Sequence, residues 1–340
     1  MKRWYENSAE PVTVSTRIRL ARNLSNVPFP GTMSGSQMLE TNRKIADTLC
    51  NGNSVLSKDL RCIEMDQLPD AEAYAMVERH IISPNFAKNR ANRMLVLSED
   101  ESISIMLGEE DHIRIQVLLP GFRLEEAYDI ADKIDTVLGE ELPIAFDEEL
   151  GFLTECPTNL GTGLRASVML HLPAIEHAGE IGRIAETVSK IGLTIRGTYG
   201  EGSKCDASLY QLSNQVTLGL TEQAAIQNLT TLAGQIIDKE KKERNLLNRT
   251  ALEDYVYRAW GILTNARVLT SKEMMGLVSR VRLGVDCGIL HLAQPQLPIQ
   301  LLIETQPNML LLEQKAGTPQ ERDVKRAEIF RTQLATEEKE

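Results

Sequence analysis

Three short alternating runs, RMLVLS, SISIML and HIRIQVLL, follow one another with only polar turns between them. In an extended chain, alternation with a period of two places every second side chain on the same face of a sheet. Strands joined by short turns pair with their neighbours in sequence. The pattern therefore predicts an antiparallel meander.

Helices are predicted on both sides of this meander. MSGSQMLETNRKIADTLCNG has helical apolar spacing, with Ser34 or Ser36 as the cap and Asn51-Gly52 as the stop. A second helix begins near Pro69-Asp70 and runs through AEAYAMVERHII. After the meander, LEEAYDIADKIDTVL is an amphipathic helix. Its apolar face is predicted to consist of Leu124, Ala127, Ile130, Ile134 and Val137.

The rest of the chain predicts a sheet with helices, followed by a helical region. EIGRIAETVSKIG is typical of a helix, and LTIRG and ASLYQLSNQ are typical of strands. A long helix begins at a Thr221 cap, and its charged end DKEKKER marks a domain boundary. From Thr250 onward the pattern is helical, interrupted by the apolar segment QPQLPIQLL. The fold class is thus α+β, with domains predicted at 1–247 and 248–340.

Length and composition agree with a soluble protein of two domains. At 340 residues the chain exceeds one comfortable core. No apolar run approaches the length of a membrane span, and the polar start lacks a signal-peptide core. Five cysteines at irregular spacings fit reduced thiols, so we expect a cytoplasmic protein. No CxxC pair occurs, which argues against a zinc site.

The net charge of −11 argues against nucleic-acid binding, which needs a basic face. Arginines nevertheless cluster in VSTRIRLAR, as Arg17, Arg19 and Arg22. Arginines gathered in so acidic a chain indicate a site for an anion.

Five segments combine residues that can carry chemistry. CPTNLGTGLR places Cys156 and Arg165 around a loop with Gly161 and Gly163, although a plain turn entering a strand fits equally well. The other four segments are STRIR with Arg17 and Arg19 on one face, EEDHIR with Glu109, Glu110, Asp111 and Arg114, RGTYGEGSK with Arg196 and Glu201, and ERHIISP with His80. Each alone is more typical of a solvated turn or a packed histidine.

Together, the order and character of these segments resemble the phosphagen (guanidino) kinase superfamily, from about Val12 to the Thr221 helix. Within it, the chain is similar to the bacterial protein-arginine kinases. Small-molecule members carry a helical domain before the arginine pair, whereas only a short segment precedes Ser15 here. They also have a histidine at the position of Met169. The absent domain would leave the guanidino pocket open to a protein substrate.

The resemblance implies a phosphagen-kinase catalytic domain, with an antiparallel sheet flanked by helices, and a small helical C-terminal domain. It implies ATP, with Mg²⁺ held mainly through phosphates and water, and no metal site made by protein side chains. Arginine suits such a site because its planar fork binds phosphate oxygens and keeps its charge. The implied ATP-binding residues are Ser15, Thr16, Arg17, Ile18, Arg19, His80, Arg114, Arg165, Ala166, Ser167, Val168, Met169, Arg196, Gly197, Thr198, Tyr199 and Gly200.

A guanidinium nucleophile is protonated at neutral pH, so a carboxylate must orient it and accept its proton. The resemblance assigns Glu110 to this role and Glu201 as a second carboxylate. From the residues alone, Glu109 and Asp111 remain alternatives to Glu110. Cys156 is implied to lie beside the guanidinium as a thiolate that acts without a covalent intermediate. Thr158 would donate a hydrogen bond to its sulfur.

The segment RDVKRA resembles an element of protein-arginine kinases that binds phosphoarginine away from the active site and stimulates the enzyme. Its residues are Arg322, Asp323, Val324, Lys325, Arg326 and Ala327. On a helix, two arginine forks and one carboxylate would share a face. A solvated helix with an Asp323–Arg326 pair is the simpler interpretation of the pattern.

The resemblance also implies partners: substrate proteins with accessible arginines, among them a heat-shock repressor, a zinc-binding activator protein and a Clp chaperone–protease. It further implies a homodimer or higher oligomer and no contact with nucleic acid or membrane. Two alternative functions stay open, a small-molecule guanidino kinase and a phosphoarginine-binding adaptor with weak catalysis.

Overall fold

The computed structural model describes residues 3–7, 10–50, 59–198 and 207–335. The chain forms two compact units. The first comprises Met1–Trp4, Thr16–Ser167 and Ser213–Thr231, and the second comprises Tyr5–Ser15, Val168–Leu212 and Leu232–Glu340. This division differs from the domain boundary at residues 247 and 248, which stays a prediction.

The predicted meander is confirmed. The strands are β1 (Thr13–Arg22), β2 (Leu60–Glu64), β3 (Met94–Ser98), β4 (Ile103–Leu107), β5 (Ile113–Pro120), β6 (Phe146–Asp147), β7 (Gly151–Phe152), β8 (Leu164–His171), β9 (Leu193–Gly197) and β10 (Leu209–Asn214). Eight of them form one sheet in the order β2-β3-β4-β5-β1-β8-β10-β9, and β6 pairs with β7. Strands β3, β4 and β5 are antiparallel neighbours, with Met94 opposite Leu107 and Leu107 opposite Ile113.

The predicted helices are present, with two differences. The helices are α1 (Gly35–Cys50), α2 (Asp70–Glu78), α3 (Pro84–Lys88), α4 (Leu124–Glu141), α5 (Pro173–His177), α6 (Ile181–Ser189), α7 (Glu222–Leu246), α8 (Arg249–Asn265), α9 (Ser271–Asp286), α10 (Leu297–Glu304), α11 (Pro307–Gln314) and α12 (Pro319–Ala335). Helix α2 ends at Glu78, earlier than predicted, and His80 adopts a left-handed φ of 63°. The segment QPQLPIQLL interrupts the helical region only at its start, since residues 294–296 lie in the non-helical stretch between α9 and α10 and Leu297 begins α10.

Side-chain caps explain where two predicted helices begin. At α1 the Ser34 hydroxyl accepts a hydrogen bond from the Gln37 N–H at 3.3 Å, and the Gln37 amide oxygen accepts one from the Ser34 N–H at 3.0 Å. This reciprocal pair makes Ser34 the cap rather than Ser36. At α7 the Thr221 hydroxyl accepts a hydrogen bond from the Ala224 N–H at 3.2 Å, as predicted. The predicted stop of α1 at Asn51-Gly52 lies outside the described residues.

Helices cover the sheet within the first unit. Helices α2 and α3 bury Met76 and Phe86 in one cluster with Leu95, Leu97 and Met106 of β3 and β4. Helix α4 packs against β5, and α1 packs against β3. The buried residues of α4 are Leu124, Ala127, Ala131, Ile134 and Leu138, so its buried face is rotated slightly from the predicted one.

The helical region lies in the second unit, where α9 contacts α8 and α10, and α12 packs on α8 and α11. This unit also contains a buried ionic network around Arg244. Arg244 donates to Glu240 at 2.7 Å, to Asp286 at 2.8 Å and to the carbonyl of His171 at 3.1 Å. Among the described residues, no helix has both the length and the apolar character needed to cross a membrane.

Candidate active site

Three neighbouring strands carry four of the five predicted site arginines. Strand β1 lies between β5 and β8 in the sheet. It carries Arg17 and Arg19 on one face, while Ile18 on the opposite face is fully buried. Arg114 lies near the start of β5 and Arg165 near the start of β8. The extended geometry of β1 thus confirms that Arg17 and Arg19 share a face.

A cavity of about 260 Å³ in the first unit is lined by three of these arginines. Its lining combines guanidinium groups with a carboxylate, a thiol and a hydroxyl. The lining residues are Arg19, Ala21, Glu110, Arg114, Cys156, Thr158, Asn159, Gly163 and Arg165. The cavity therefore brings together STRIR, EEDHIR and CPTNLGTGLR, which are far apart in sequence.

Burial and mutual repulsion lower the pKa of the arginines on β1. Burial, followed by the charges of Arg165 and Arg114, lowers the pKa of Arg17 to about 10. Burial, followed by Arg17, Arg114 and Arg165, lowers the pKa of Arg19 well below its ordinary value, although Glu109 opposes the shift. Arginine still keeps its proton at neutral pH. The repulsion among these cations is relieved when an anion binds between them.

The site suits phosphate groups. Nε of Arg19 is buried and has no hydrogen-bond partner among the residues that the structure describes. A buried donor of this kind is satisfied by a ligand oxygen, and guanidinium groups bind phosphate oxygens in pairs. Arg19, Arg114 and Arg165 all line the cavity, and their role at the phosphates of ATP stays a prediction. In the described ranges, no group of three or more His, Cys, Asp or Glu side chains could bind a metal ion.

The three acidic residues of EEDHIR have different environments. Glu110 is 40% exposed, lines the cavity and contacts Nη2 of Arg114 at 3.0 Å. Glu109 is buried, pairs with Nη1 of Arg114 and accepts a hydrogen bond from the hydroxyl of Ser83. Asp111 is fully buried, where it accepts hydrogen bonds from the side chain of Asn23 and the backbone of Glu155. Of these three, Glu110 is the carboxylate that can meet a substrate.

The loop before β8 places a thiol in the same cavity. Cys156 is half-buried, and its Sγ lies 3.0 Å from Oγ1 of Thr158, which is the predicted contact. Gly161 has φ of 100°, a conformation that glycine adopts without strain. A Cβ at this position would meet the carbonyl of Thr217, so Gly161 serves close packing between backbone segments. Gly163 does line the cavity.

Comparisons with known proteins agree with this geometry. Residues 40–243 match the model of the ATP:guanido phosphotransferase C-terminal catalytic domain, and residues 249–340 match that of the protein-arginine kinase McsB C-terminal domain. A protein-arginine kinase of Brevibacillus brevis is 46% identical over 335 residues, which cover 97% of this chain and 93% of that kinase. One from Caldanaerobacter subterraneus is 45% identical over 96% of this chain and 98% of its own length. The chain belongs to the protein-arginine kinase family.

Solved structures confirm the fold of this kinase. Lombricine kinase superposes with a TM-score of 0.60 at 23% identity, over 68% of this chain and 66% of that one. The duplicated taurocyamine kinase of Schistosoma mansoni, with transition-state analogue components bound, gives a TM-score of 0.62 at 25% identity, over 77% of this chain and 38% of that one. The predicted phosphagen-kinase fold is thereby confirmed. As an ATP:guanido phosphotransferase, the enzyme uses ATP.

Other residues predicted to bind ATP in this kinase are buried by the protein itself. Thr16 donates a hydrogen bond to the carbonyl of Gly121 at 2.8 Å and accepts one from the N–H of Arg123 at 3.0 Å. Its side chain therefore ties β1 to the start of α4. The remaining buried members of the two predicted segments are Ser15, Ile18, Ala166, Ser167, Val168 and Met169. Their assignment to ATP stays a prediction.

His80 follows α2, and its ring lies 6.1 Å from that of Trp4. Burial, followed by the charge of Arg17, lowers the pKa of His80 to about 4. The imidazole is therefore neutral at pH 7, and its electrostatic coupling to Arg17 relates it to the arginine cluster. Contact with ATP remains a prediction for this residue.

The segment RGTYGEGSK is described only in part. Arg196 is exposed near the end of β9, in the second unit, and Gly197 and Thr198 follow it half-buried. Tyr199, Gly200 and Glu201 lie outside the described residues. The roles of Glu201 as a second carboxylate and of Arg196 at the phosphates therefore stay predictions.

Two residues near the site were missed by sequence reasoning. Ser83 caps α3 and also donates its hydroxyl hydrogen to Glu109. Burial lowers the pKa of Arg93, with Glu109 opposing the shift and Arg114 adding to it. Ser83 lies in ERHIISP and Arg93 begins RMLVLS, but neither was assigned a role, because each reaches the site only through the packing of α3 and β3.

The segment RDVKRA lies on α12, but its arginines do not share an open face. Arg326 is completely buried and donates to the carbonyls of Thr305 at 2.9 Å and Leu269 at 2.7 Å, and to Asp323 at 2.6 Å. Arg322 is half-buried and donates to the carbonyl of Gly317 at 2.9 Å. The expected Asp323–Arg326 pair is therefore present. The two arginines differ in exposure, because Arg326 connects the helices of the second unit, and phosphoarginine binding by this segment stays a prediction.

Proposed function

We propose that this kinase transfers the γ-phosphoryl group of ATP to a guanidinium nitrogen of arginine side chains in proteins. The observation that carries the proposal is the single cavity in which Arg19, Arg114 and Arg165 meet Glu110 and Cys156. Guanidinium groups suit phosphate oxygens, whereas a carboxylate and a thiolate suit a cationic acceptor. One cavity thus offers complementary charge to both reactants.

Each side chain has a distinct task in this proposal. Bound ATP, with Mg²⁺ on its phosphates, supplies the phosphoryl group. The arginines orient the phosphates and stabilise the charge that develops during transfer. Glu110 contacts Arg114 at 3.0 Å. The substrate guanidinium would replace Arg114 as the partner of this carboxylate. Glu110 then accepts the guanidinium proton as the nitrogen–phosphorus bond forms and the bond from the γ-phosphorus to the bridging oxygen breaks, which releases ADP.

Cys156 acts as an electrostatic clamp in the same proposal. Its sulfur lies 3.0 Å from the Thr158 hydroxyl, which can donate a hydrogen bond to a thiolate. A thiolate beside the guanidinium would orient the acceptor without bonding to it. A protein acceptor is supported by the relatives, which are named protein-arginine kinases.

The test is incubation with ATP and either an arginine-rich unfolded protein or free arginine, followed by mass spectrometry under non-acidic conditions. We expect phosphate on arginine side chains of the protein, lost in warm acid and kept at alkaline pH, because the product is a phosphoramidate. Acid-stable label on serine or threonine would contradict the proposal. Phosphorylation of free arginine alone would indicate a small-molecule guanidino kinase.

The wider role is proposed from the family resemblance. Arginine phosphorylation would mark proteins for a Clp chaperone–protease in the cytoplasm during stress, with a heat-shock repressor among the substrates and a zinc-binding activator as partner. The enzyme would act as a homodimer or a higher oligomer. Co-purification of these partners with the tagged kinase tests this role.

Stimulation by phosphoarginine through RDVKRA is also proposed. Asp323 accepts a hydrogen bond from the buried Arg326, so a ligand that binds Asp323 would remove one partner of an arginine that connects the helices. Asp323→Ala should leave the basal rate unchanged and remove activation by added phosphoarginine. Titration of phosphoarginine against the initial rate decides this. Equal stimulation of both proteins, or of neither, would contradict it.

A further inference from the structure

Five large apolar side chains near the loop before β8 are exposed to solvent by 40 to 60% of their surface. We call them the apolar collar, and they are Phe146, Leu150, Val216, Leu218 and Leu220. Single exposed apolar residues are normal in soluble proteins, but a contiguous group marks a surface for interaction. The question is therefore whether these five are contiguous.

Gly161 connects the two segments that carry the collar. Phe146 and Leu150 belong to the β6–β7 hairpin, where the rings of Phe146 and Phe152 meet edge-on at 5.2 Å. The N–H of Phe152 donates to the carbonyl of Gly161 at 2.8 Å. On its other side, Gly161 is so close to the second segment that a Cβ would lie 2.8 Å from Cα of Leu218. The hairpin and residues 216–220 thus flank one glycine.

The same contacts place the collar next to the cavity. Thr217, within the second segment, donates its hydroxyl to the carbonyls of Thr158 at 3.0 Å and Leu160 at 2.7 Å. Thr158 lines the cavity and touches Cys156, the residue proposed to clamp the acceptor. All of these residues belong to the first unit. The second collar segment therefore lies against the loop that lines the cavity with Cys156 and Thr158.

The charges around the collar are negative. The turn of the hairpin exposes Asp147, Glu148 and Glu149, and Glu155 is exposed just before Cys156. Glu110, at the cavity, adds a further carboxylate. This surface is both apolar and acidic, so it is complementary to a chain segment that is both apolar and cationic.

We propose that the apolar collar binds apolar residues that flank the target arginine in an extended segment of the protein substrate. The inference rests on the proposed function, and it assigns to this surface the specificity for residues beside the arginine. Burial of two or three flanking side chains should lower KM by roughly tenfold or more.

The test uses two peptides of equal length and charge, each with one arginine, flanked either by leucine and phenylalanine or by glycine and serine. They are compared on the wild type and on the double variant Phe146→Ser/Leu218→Ser. Wild type should have a KM roughly tenfold lower for the apolar peptide. The double variant should raise that KM to the value for the polar peptide, without changing kcat or the kinetics of the polar peptide.

A matched control is Ile191→Ser, which removes an exposed apolar side chain from the second unit and should change neither KM. If the double variant melts at a lower temperature, Leu150→Ser/Leu220→Ser tests the same surface.

Equal KM values for the two peptides on wild type, or values unchanged in both variants, would overturn the inference. A double variant of smaller mass in sedimentation would instead make the collar an interface between copies. If neither peptide is phosphorylated, the proposed function itself has failed.

Discussion

Arg19 and Arg22 lie on the same strand but in opposite electrostatic environments. Arg22 is almost completely buried and forms a bidentate pair with Asp135, at 2.9 and 2.7 Å, while its guanidinium stacks on the ring of Phe152. Arg19, on the other face, has its pKa lowered by burial and then by the charges of Arg17, Arg114 and Arg165. The sequence presents both as members of one basic cluster, yet only Arg19 is suited to bind an anion.

Two arginines of the second unit, like Arg22, are buried and paired with a carboxylate. Burial opposes the charge of Arg244, but Asp286 and Glu240 raise its pKa above the ordinary value. Arg326 is satisfied by Asp323 and backbone carbonyls. A buried arginine with a carboxylate partner stabilises the fold, whereas a cluster of arginines near one another serves a ligand. The following four predictions test this distinction.

The largest effect is expected from the carboxylates. Glu110→Gln should lower the rate of phosphoryl transfer by roughly 10³- to 10⁴-fold, because an amide cannot accept the guanidinium proton. ATP affinity should stay nearly unchanged in a binding titration. Glu240→Gln, the matched change at the buried network, should lower the melting temperature and leave the folded enzyme active. More than about a tenth of wild-type turnover in Glu110→Gln would mean that another group is the base.

Removal of Arg244 should lower stability, whereas removal of Arg19 should weaken ATP binding. Arg244→Leu leaves Glu240 and Asp286 buried without their cation, so the free energy of unfolding should fall by about 3–5 kcal/mol. Arg19→Leu relieves repulsion with Arg17 and Arg165, so it should not lower stability, but it should weaken ATP binding. Chemical denaturation and nucleotide titration of both variants measure this. Loss of stability in Arg19→Leu, with ATP binding retained, would remove the distinction.

Cys156→Ala should have an intermediate effect. Loss of an orienting negative charge should lower kcat by roughly 10- to 10³-fold without abolishing it. A folded but completely inactive variant would indicate a covalent role for the thiol. Full activity would reduce Cys156 to a packing residue. Cys287→Ala, at the half-buried thiol just after α9, is the matched control.

The smallest effect concerns pH. Burial, followed by the charges of Arg282 and Arg244, lowers the pKa of His171 well below its ordinary value, and Nε2 contacts the hydroxyl of Ser279 at 2.8 Å. Below about pH 6.5, the unfolded chain binds a proton at this residue while the folded protein does not. The unfolding free energy should therefore fall by up to about 1.4 kcal/mol per pH unit as pH decreases. His171→Gln should reduce this slope, and the exposed His177→Gln should not.

Local patterns predicted most of the secondary structure. The meander and the Thr221 cap depend on neighbouring residues, so periodicity and capping chemistry suffice to identify them, whereas the choice of Ser34 over Ser36 came from the hydrogen bonds with Gln37. The end of α2 was missed because His80 takes its left-handed backbone from tertiary packing. The apolar segment at α10 was missed because a helix that is buried on all sides lacks an amphipathic pattern.

The sequence by itself determined which segments carry the arginines, the carboxylate and the thiol that meet in the cavity, since these motifs are short and contiguous. It could not choose among Glu109, Glu110 and Asp111, which share a turn. Only the tertiary structure separates them, because Ser83 and Asn23 hold the outer two in the interior. It likewise decides that Arg22 and Arg326 are structural, since their partners lie far away in sequence. The sequence shows which side chains are charged, but only the folded chain shows which opposite charge neutralises each of them.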